Sequence, residues 1–401
     1  MELNCHYNQQ ARLREFARFD GKHYKLTMVD LGRKKIGSRN VETSFYQKGL
    51  YAEEVERELN NAIEKPGMQV FDKAYRSKYA VSLTRRELEI MKKYLLVQLY
   101  RNPTNMSHYS PNWEGDVLGI NKQFKTDAEA NQHVSDEIHK ICISSWKQLL
   151  KSDDKELFNN IREIQQTMTL FVRSDTLEFV INDLGSVTER QDYQNDNDEL
   201  IKKHLESVVE GTVSEDMLEE WKNRHQYFDN FTFYPISSHM GIITLSSVWT
   251  RLIKAKQPFT VYPGDKTCPL VYDVDPTFFE WVETNVGLHS NFLETFFIPA
   301  IPSYQSNRMR KVNQNRFDKR LQTCSSPNDR YLYPVVDLDL DWAEYLNLLT
   351  INEAHKFFAF GSIPDGKISI GTYDVFSSHY PYAKNNLSWI DWDADWTKPL
   401  D

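Results

Sequence analysis

The clearest structural signal in the chain is LTRRELEIMKKYLLVQLYRNP, residues 83–103. Thr84 and Glu87 have the spacing of a capping box, in which the two side chains cap the first turn of a helix. An apolar stripe follows at helical spacing, formed by Leu88, Met91, Leu95 and Leu99. Pro103 disfavours helical backbone at the residue before it. The stretch therefore predicts an amphipathic helix that begins after Thr84 and ends near Arg101.

Other segments predict a mixture of helices and strands around this helix. Periodicity and turn residues predict further helices at 51–64 (stopped by Pro66-Gly67), 126–151, 154–168, 198–209, 214–227 and 342–358. Strands are expected at 16–19 and 23–29, at 168–173 and 177–182 around a Ser174-Asp175 turn, and at 231–234 and 240–245. Residues 185–199 resemble a polar loop, and Pro364-Asp365-Gly366 a hairpin turn.

These elements predict an α+β fold. We expect a helical layer, formed by residues 50–165 and 198–227, to pack on a mixed or mainly antiparallel sheet. The length of 401 residues favours more than one structural unit. We expect a core at 1–245, an inserted or accessory region at 246–340, and a C-terminal part at 341–401 that returns to the core with a tail rich in Trp and Asp.

Composition narrows the class of protein. Hydrophobic residues make up 40% of the chain, which is enough for a packed interior. The formal net charge of −9 disfavours non-specific binding to nucleic acid. The four cysteines form no C-x-x-C pair, so a zinc knuckle or a dithiol redox site is not expected. The absence of a signal-peptide pattern and of a long apolar run predicts a cytoplasmic protein with no membrane partner.

The first residues carry a motif. His6, Tyr7, Leu13, Arg14 and Phe16 match the pattern H-Y-x-P-x-x-x-L-R-x-F, except that Gln9 replaces the proline. On this basis the chain resembles the domain of unknown function 4238 family of mostly bacterial proteins. Weaker matches follow at Phe45-Tyr46, Ile63-Glu64, Gln98, Arg101, Pro103, Phe179, Asp183, Pro235-Ile236-Ser237 and Asn352. The resemblance covers residues 6–245 and resumes at 340–372.

The resemblance and the residue types together indicate a candidate site. His6, Glu64, Arg101 and Asp183 are the catalytic candidates, supported by Tyr7, Arg14, Gln98 and Asn352. An imidazole beside carboxylates and an arginine suits phosphodiester cleavage. His6 would be the acid or base and Arg101 would bind phosphate. Glu64 and Asp183 would orient these groups or hold a divalent cation such as Mg²⁺.

Two functions follow from this constellation. The first is a bacterial effector of toxin or phage-defence type that acts as a nuclease on RNA. The second is a non-enzymatic sensor or protein-binding module. In that case Arg101 would bridge Glu64 and Asp183 in a structural network, and His6 would bind a backbone carbonyl. The insertion and the Trp-containing tail would then recognise a partner protein.

Weaker candidates lie elsewhere in the sequence. If residues 337–341 form a strand, Asp337, Asp339 and Asp341 share one face that could hold a cation, although a solvated strand edge is the commoner arrangement. The row Asp391, Asp393 and Asp395 has the same two interpretations. His133 and His139 are six residues apart, which does not suit a zinc site on a helix. The basic residues Arg308, Arg310 and Lys311 are the best candidates for nucleic-acid contact, although such a run is more often a solvated face.

Overall fold

The fold is seen in a computed structural model of the chain. The structure describes residues 4–6, 8–48, 52–78, 80–101, 126–149, 151–153, 157, 164, 169–192, 214, 227–245, 260–262, 330–379 and 383–400. Its helices and sheets give an α+β fold, as the sequence predicts. The helices predicted at 154–168, 198–209 and 214–227 fall mainly on residues outside this set, and Tyr7, Arg308, Arg310 and Lys311 lie outside it as well.

The strands form three sheets in the described part of the chain. In chain order they are β1 (Asn4–His6), β2 (Arg18–Phe19), β3 (Tyr24–Asp30), β4 (Lys35–Asn40), β5 (Tyr46–Lys48), β6 (Ala80–Thr84), β7 (Thr169–Arg173), β8 (Ile181–Asn182), β9 (Val187–Asp192), β10 (Tyr227–Pro235), β11 (Met240–Leu245), β12 (Thr260–Tyr262), β13 (Arg330–Asp337) and β14 (Phe357–Phe360). The largest sheet has the order β12-β13-β7-β11-β10-β9, with β6 also paired to β13. A second sheet has the order β2-β3-β14-β8, with β4 paired to β3, and β1 pairs β5.

Only the pairing of β13 with β7 is parallel among the named strands, so the sheets are mixed to mainly antiparallel in the described residues. Strands β12 and β13 come from the region expected to be an insertion, yet they join the sheet that contains β7 and β6. The largest sheet therefore contains strands from both sides of position 246. The division of the chain at 246 and 340 stays a prediction.

The helices are α1 (Gln10–Arg14), α2 (Glu53–Leu59), α3 (Lys65–Tyr75), α4 (Arg85–Tyr100), α5 (Asp127–Ile143), α6 (Trp146–Leu149), α7 (Leu340–Asn352) and α8 (Ile363–His379). Helix α4 begins as the sequence predicts: Thr84 Oγ1 accepts from Glu87 N, and the Glu87 carboxylate accepts from Thr84 N. Its apolar stripe lies against the core with α3 and α5. No helix within the described residues is long and apolar enough to cross a membrane.

The predicted end of a helix before Pro66 is wrong. A π-helical turn, Asn60–Glu64, continues α2 directly into α3. Pro66 stands in the first turn of α3, directly after the π-turn, so the helix continues through the proline. The side chain of Tyr94 packs closely over Gly67, so the small residue allows α3 to approach α4.

Four other local predictions are also wrong, three because distant strands pair and one because a helix begins where a turn was expected. Strand β7 pairs with β11 and β13 while β8 pairs with β14, so Ser174-Asp175 does not close a hairpin. Strand β9 occupies the expected polar loop because β10 supplies its hydrogen bonds. The helix expected at 342–358 ends at Asn352, and Phe357–Phe360 forms β14 instead. Pro364-Asp365-Gly366 lies in the first turn of α8.

The chain's C-terminal part packs on the second sheet, which contains β3 and β14. A second apolar cluster forms where α7 and α8 meet that sheet, and Trp396 of the tail is buried in it. Lys398 O accepts from Ser38 N at 2.7 Å, and Ser38 O accepts from Leu400 N at 2.9 Å. These bonds hold the tail against β4, so the tail is part of the fold.

Candidate functional site

The π-helical turn aligns two glutamates on one face of a helix. Glu56 lies in α2 and Glu64 ends the π-turn. In an α-helix each residue advances by about 100°, so side chains eight positions apart would differ by about 80°. A turn closed by wider i→i+5 bonds advances each residue by roughly 80°, which removes most of that offset. Both carboxylates therefore point toward the same cation, Arg101.

Arg101 lies at the C-terminal end of α4, where a positive charge also interacts favourably with the helix dipole. Its Nη1 atom donates a hydrogen bond to Glu64 Oε1, and its Nη2 atom lies 3.9 Å from Glu56 Oε1. The side chains of Arg101 and Glu64 are 2% and 8% exposed, whereas that of Glu56 is 21% exposed. Arg101 thus binds the buried Glu64 directly, whereas the more exposed Glu56 lies farther from the guanidinium group.

Glu56 is the unusual group of this cluster. Burial raises its pKa to about 7, and the negative charge of Glu64 adds to this effect while Arg101 opposes it. Its Oε2 atom is buried without a hydrogen-bond partner among the described residues. An ionised carboxylate with a bare buried oxygen is costly, so Glu56 keeps its proton up to about pH 7. Glu56 can therefore donate or take up a proton in the physiological range.

His6 joins the cluster from β1. Its Nε2 atom donates to Glu42 O at 3.2 Å, because a carbonyl oxygen can only accept. Gln10 Nε2 lies 3.1 Å from the same Nε2 atom and 3.4 Å from Nδ1, the ring nitrogen left to accept from it. Burial lowers the pKa of His6, and the charge of Arg101 acts in the same direction. Burial and the charge of Arg101 thus both favour the neutral form of the ring, which can accept a proton.

A second buried network is centred on Arg12 of α1 and reaches Gln98, one turn before Arg101 on α4. Arg12 donates to the carbonyl oxygens of Pro235 and Gly185, and its Nη1 atom lies 3.5 Å from Gln98 Oε1. Gln98 Nε2 donates to Leu184 O at 3.3 Å. Burial lowers the pKa of Arg12. The network ties α1 and α4 to the loop before β9 and to the end of β10.

Gly185 allows this network to close. Its φ of +68° is strained for a residue with a side chain. A Cβ atom at this position would overlap Asn8 Oδ1 and Gln98 Nε2. Asn8 in turn donates to Asn182 O at 2.9 Å. Glycine at 185 is therefore required both by the backbone conformation and by the close approach of two side chains.

Asp183 binds the backbone between α7 and β14. Its Oδ1 atom accepts from His355 N at 3.0 Å and its Oδ2 atom accepts from Lys356 N at 2.8 Å. Burial raises its pKa, while the two backbone donors act in the opposite direction. Both oxygens fix the turn between α7 and β14, so the arrangement assigns Asp183 a positioning role in the fold.

The supporting residues lie at three places. Arg14 is exposed, 3.9 Å from Glu42 in an ion pair and with its guanidinium carbon 5.7 Å from the centre of the Tyr24 ring. Asn352 Oδ1 accepts from Lys384 N at 3.0 Å and from the Tyr373 hydroxyl at 3.1 Å, which holds the segment after α8. Gln98 belongs to the network of Arg12.

The residues that the sequence groups into one site are divided in the structure. His6, Glu64 and Arg101 share one cluster, while Gln98 contacts Arg12 and Asp183 holds the turn before β14. Glu56 and Arg12 are not predicted from the sequence. Arg12 lies within the opening motif, next to the buried Leu13. This placement is the one sequence feature that could have identified it as a buried residue. No sequence signal marks Glu56, because its alignment with Glu64 depends on the π-turn.

The residues of the cluster do not match the usual ligand set for Mg²⁺. Glu64 is bound to Arg101, and both oxygens of Asp183 are bound to backbone amides. No group of three or more His, Cys, Asp or Glu side chains able to hold a metal occurs in the described part of the chain. The expected acidic strand face at 337–341 is wrong, because Asp337 ends β13 and Asp339 caps α7 by accepting from Trp342 N.

Comparison with known proteins adds no assignment: no family model, no curated protein and no solved structure matches the chain. The resemblance to the domain of unknown function 4238 family stays a prediction from the opening motif.

Proposed function

We propose that the chain is a phosphodiester hydrolase acting on RNA, an effector of toxin or phage-defence type, with Glu56, His6 and Arg101 at its centre. The observation that supports this most is the pair of opposite pKa changes: that of Glu56 rises to about 7 while that of His6 falls. A carboxyl group with a raised pKa can still donate a proton near pH 7, and an imidazole with a lowered pKa is free to accept one. Such a pair can serve as general acid and general base.

Each residue of the cluster has a role in this proposal. Neutral His6 accepts the proton of the attacking hydroxyl or water, and protonated Glu56 donates one to the leaving oxygen. Arg101 is 2% exposed, so it stabilises developing negative charge through its field and not by direct contact. Glu64 orients Arg101. No step requires Asp183, whose part in the proposal is to hold the loop between α7 and β14.

The test is cleavage of end-labelled RNA and DNA by the purified full chain, with and without Mg²⁺. We expect wild type to cleave RNA, and Glu56→Gln and His6→Ala to reduce the rate by about 100-fold or more. His139→Ala is the control, since His139 lies at the surface in a pair with Glu58. Melting temperatures of all variants are measured in parallel, so that loss of activity can be separated from loss of fold.

A second candidate is a non-enzymatic binding or sensing protein whose polar network is structural. The ion pair that occupies Arg101 and the two backbone amides that occupy Asp183 favour it. Under this alternative, wild type and variants are equally inert toward RNA and DNA. His6→Ala would then change only the melting temperature, through loss of its bond to Glu42 O.

A further inference from the structure

The outer face of α8 carries a continuous stripe without charged residues. Its members are Pro364, Ile368, Gly371, Val375 and Ser378. They alternate by four and three positions, which is the spacing that places residues along one seam of a helix. Ile368 and Val375 are 45% and 65% exposed. A surface helix usually turns such a stripe toward a neighbouring element.

The tail extends this stripe into a shallow groove. The Trp392 ring, 40% exposed, lies against α8, with its Cη2 atom 4.0 Å from the place a Cβ of Gly371 would take. Lys367 Nζ donates to Trp392 O at 2.8 Å and lies 4.8 Å from the centre of the Trp396 ring. Gly371 thus forms a low floor between Trp392 and the two exposed aliphatic side chains.

The rim of the groove is acidic. Asp365 and Asp374 lie on α8 beside the stripe, and Asp391 and Asp393 flank Trp392 in the tail. The one lysine of α8, Lys367, is held by a carbonyl oxygen and an indole ring. This charge pattern would repel a nucleic acid and a second copy of the same face, and it would attract lysine and arginine.

We propose that the α8 groove, formed by Ile368, Gly371, Val375 and Trp392, docks a basic amphipathic helix of a partner protein. The partner's apolar residues fill the seam over Gly371, and its lysines and arginines pair with the acidic rim. This is the helix-in-groove mode, in which apolar anchors supply affinity and the charged rim selects the partner. The inference stands apart from the proposed RNA cleavage, because it uses none of the residues assigned to that reaction.

The test measures fluorescence anisotropy of a labelled synthetic helix of leucine and lysine, added to the full chain. A matched peptide with glutamate in place of lysine is the charge control. We expect the lysine peptide alone to bind, with affinity reduced at least about tenfold by Val375→Ser with Ile368→Ser, and several-fold by Asp374→Asn with Asp391→Asn. Ile143→Ser removes another exposed aliphatic side chain, 63% exposed, and should change nothing.

Two results would overturn the proposal. Equal binding of the peptide to wild type and to the Val375→Ser, Ile368→Ser variant, or no binding to either, would show that the groove does not take such a helix. A dimer seen by light scattering in wild type and lost on Val375→Ser would show that a second copy is the occupant.

Discussion

Arg101 at the end of α4 forms a buried ion pair with Glu64, which lies in the π-turn between α2 and α3. The pair joins α4 to the continuous helix formed by α2 and α3. The pair lies beside Glu56, whose carboxyl group is farther from Arg101 and more exposed. One cation thus faces two carboxyl groups, and only one of them is strongly bound. Glu64 is ionised and paired with Arg101, whereas Glu56 can hold a proton up to about pH 7. This difference makes the cluster a candidate site of proton exchange as well as a salt bridge.

Removal of the Arg101 guanidinium group should destabilise the protein strongly. Arg101→Met leaves Glu64 buried without its cation, and breaking a buried ion pair costs about 3–5 kcal/mol. Urea unfolding at pH 7 measures the change. Arg76→Ala, which breaks a solvent-exposed pair with Asp72, is the control and should cost about 0–1 kcal/mol. A loss for Arg101→Met no larger than that of the control would mean that the pair contributes little.

Stability should depend on pH through Glu56. Its folded pKa is raised from 4.5 to about 7, so the folded state holds a proton that the unfolded state has released. The stability from Glu56 is therefore fully present below pH 4.5 and is lost as pH rises toward 7, by on the order of 3 kcal/mol. Denaturant unfolding of wild type and Glu56→Gln between pH 4.5 and 8 should show this loss in wild type alone. Parallel curves for the two proteins would contradict it.

His6 should act in the opposite sense. Its lowered pKa means that the unfolded state binds a proton more readily near pH 6, so stability from His6 rises with pH and is complete above its unfolded pKa of 6.5. We expect His6→Gln to remove this rise at mildly acidic pH. The measurement is the difference in unfolding free energy between variant and wild type from pH 5 to 7.5, and a difference independent of pH would count against a buried neutral ring.

The position of Gly185 should tolerate no side chain. Gly185→Ala combines a positive φ with overlap of Asn8 and Gln98, and we expect a loss of more than about 2 kcal/mol. Gly21→Ala is the matched control, because Gly21 has a positive φ of 94° but an added Cβ would meet nothing within 4 Å. It should cost about 1 kcal/mol. Similar losses at both positions would show that backbone strain alone matters at Gly185.

The sequence predicts α4 and the α+β class well because these depend on local signals. The capping box of Thr84 and Glu87 and the apolar stripe specify α4 without help from the rest of the chain. Strands β10 and β11 appear where alternation and turn residues place them. Elements that depend on partners distant in sequence are missed: β9 is polar but is stabilised by β10, and the turn signals at Ser174 and Pro364 are overridden by pairing and by helix formation.

The candidate site shows the same division. His6, Glu64 and Arg101 could be grouped because ionisable residues stand at positions framed by apolar ones. Glu56 could not be found in this way, since only a π-turn aligns it with Glu64. The burial of Asp183 was foreseeable, but it accepts from backbone amides beyond the end of α7, which no local pattern reveals.

The central claim is that Glu56 exchanges a proton near neutral pH, and a carbon-13 NMR titration of the glutamate side chains tests it most directly. We predict one carboxyl resonance with a midpoint near pH 7, absent from Glu56→Gln and present in Glu58→Gln. If all glutamate resonances of wild type titrate below about pH 5, as unperturbed carboxyl groups do, the cluster is not an acid–base centre and the claim is contradicted.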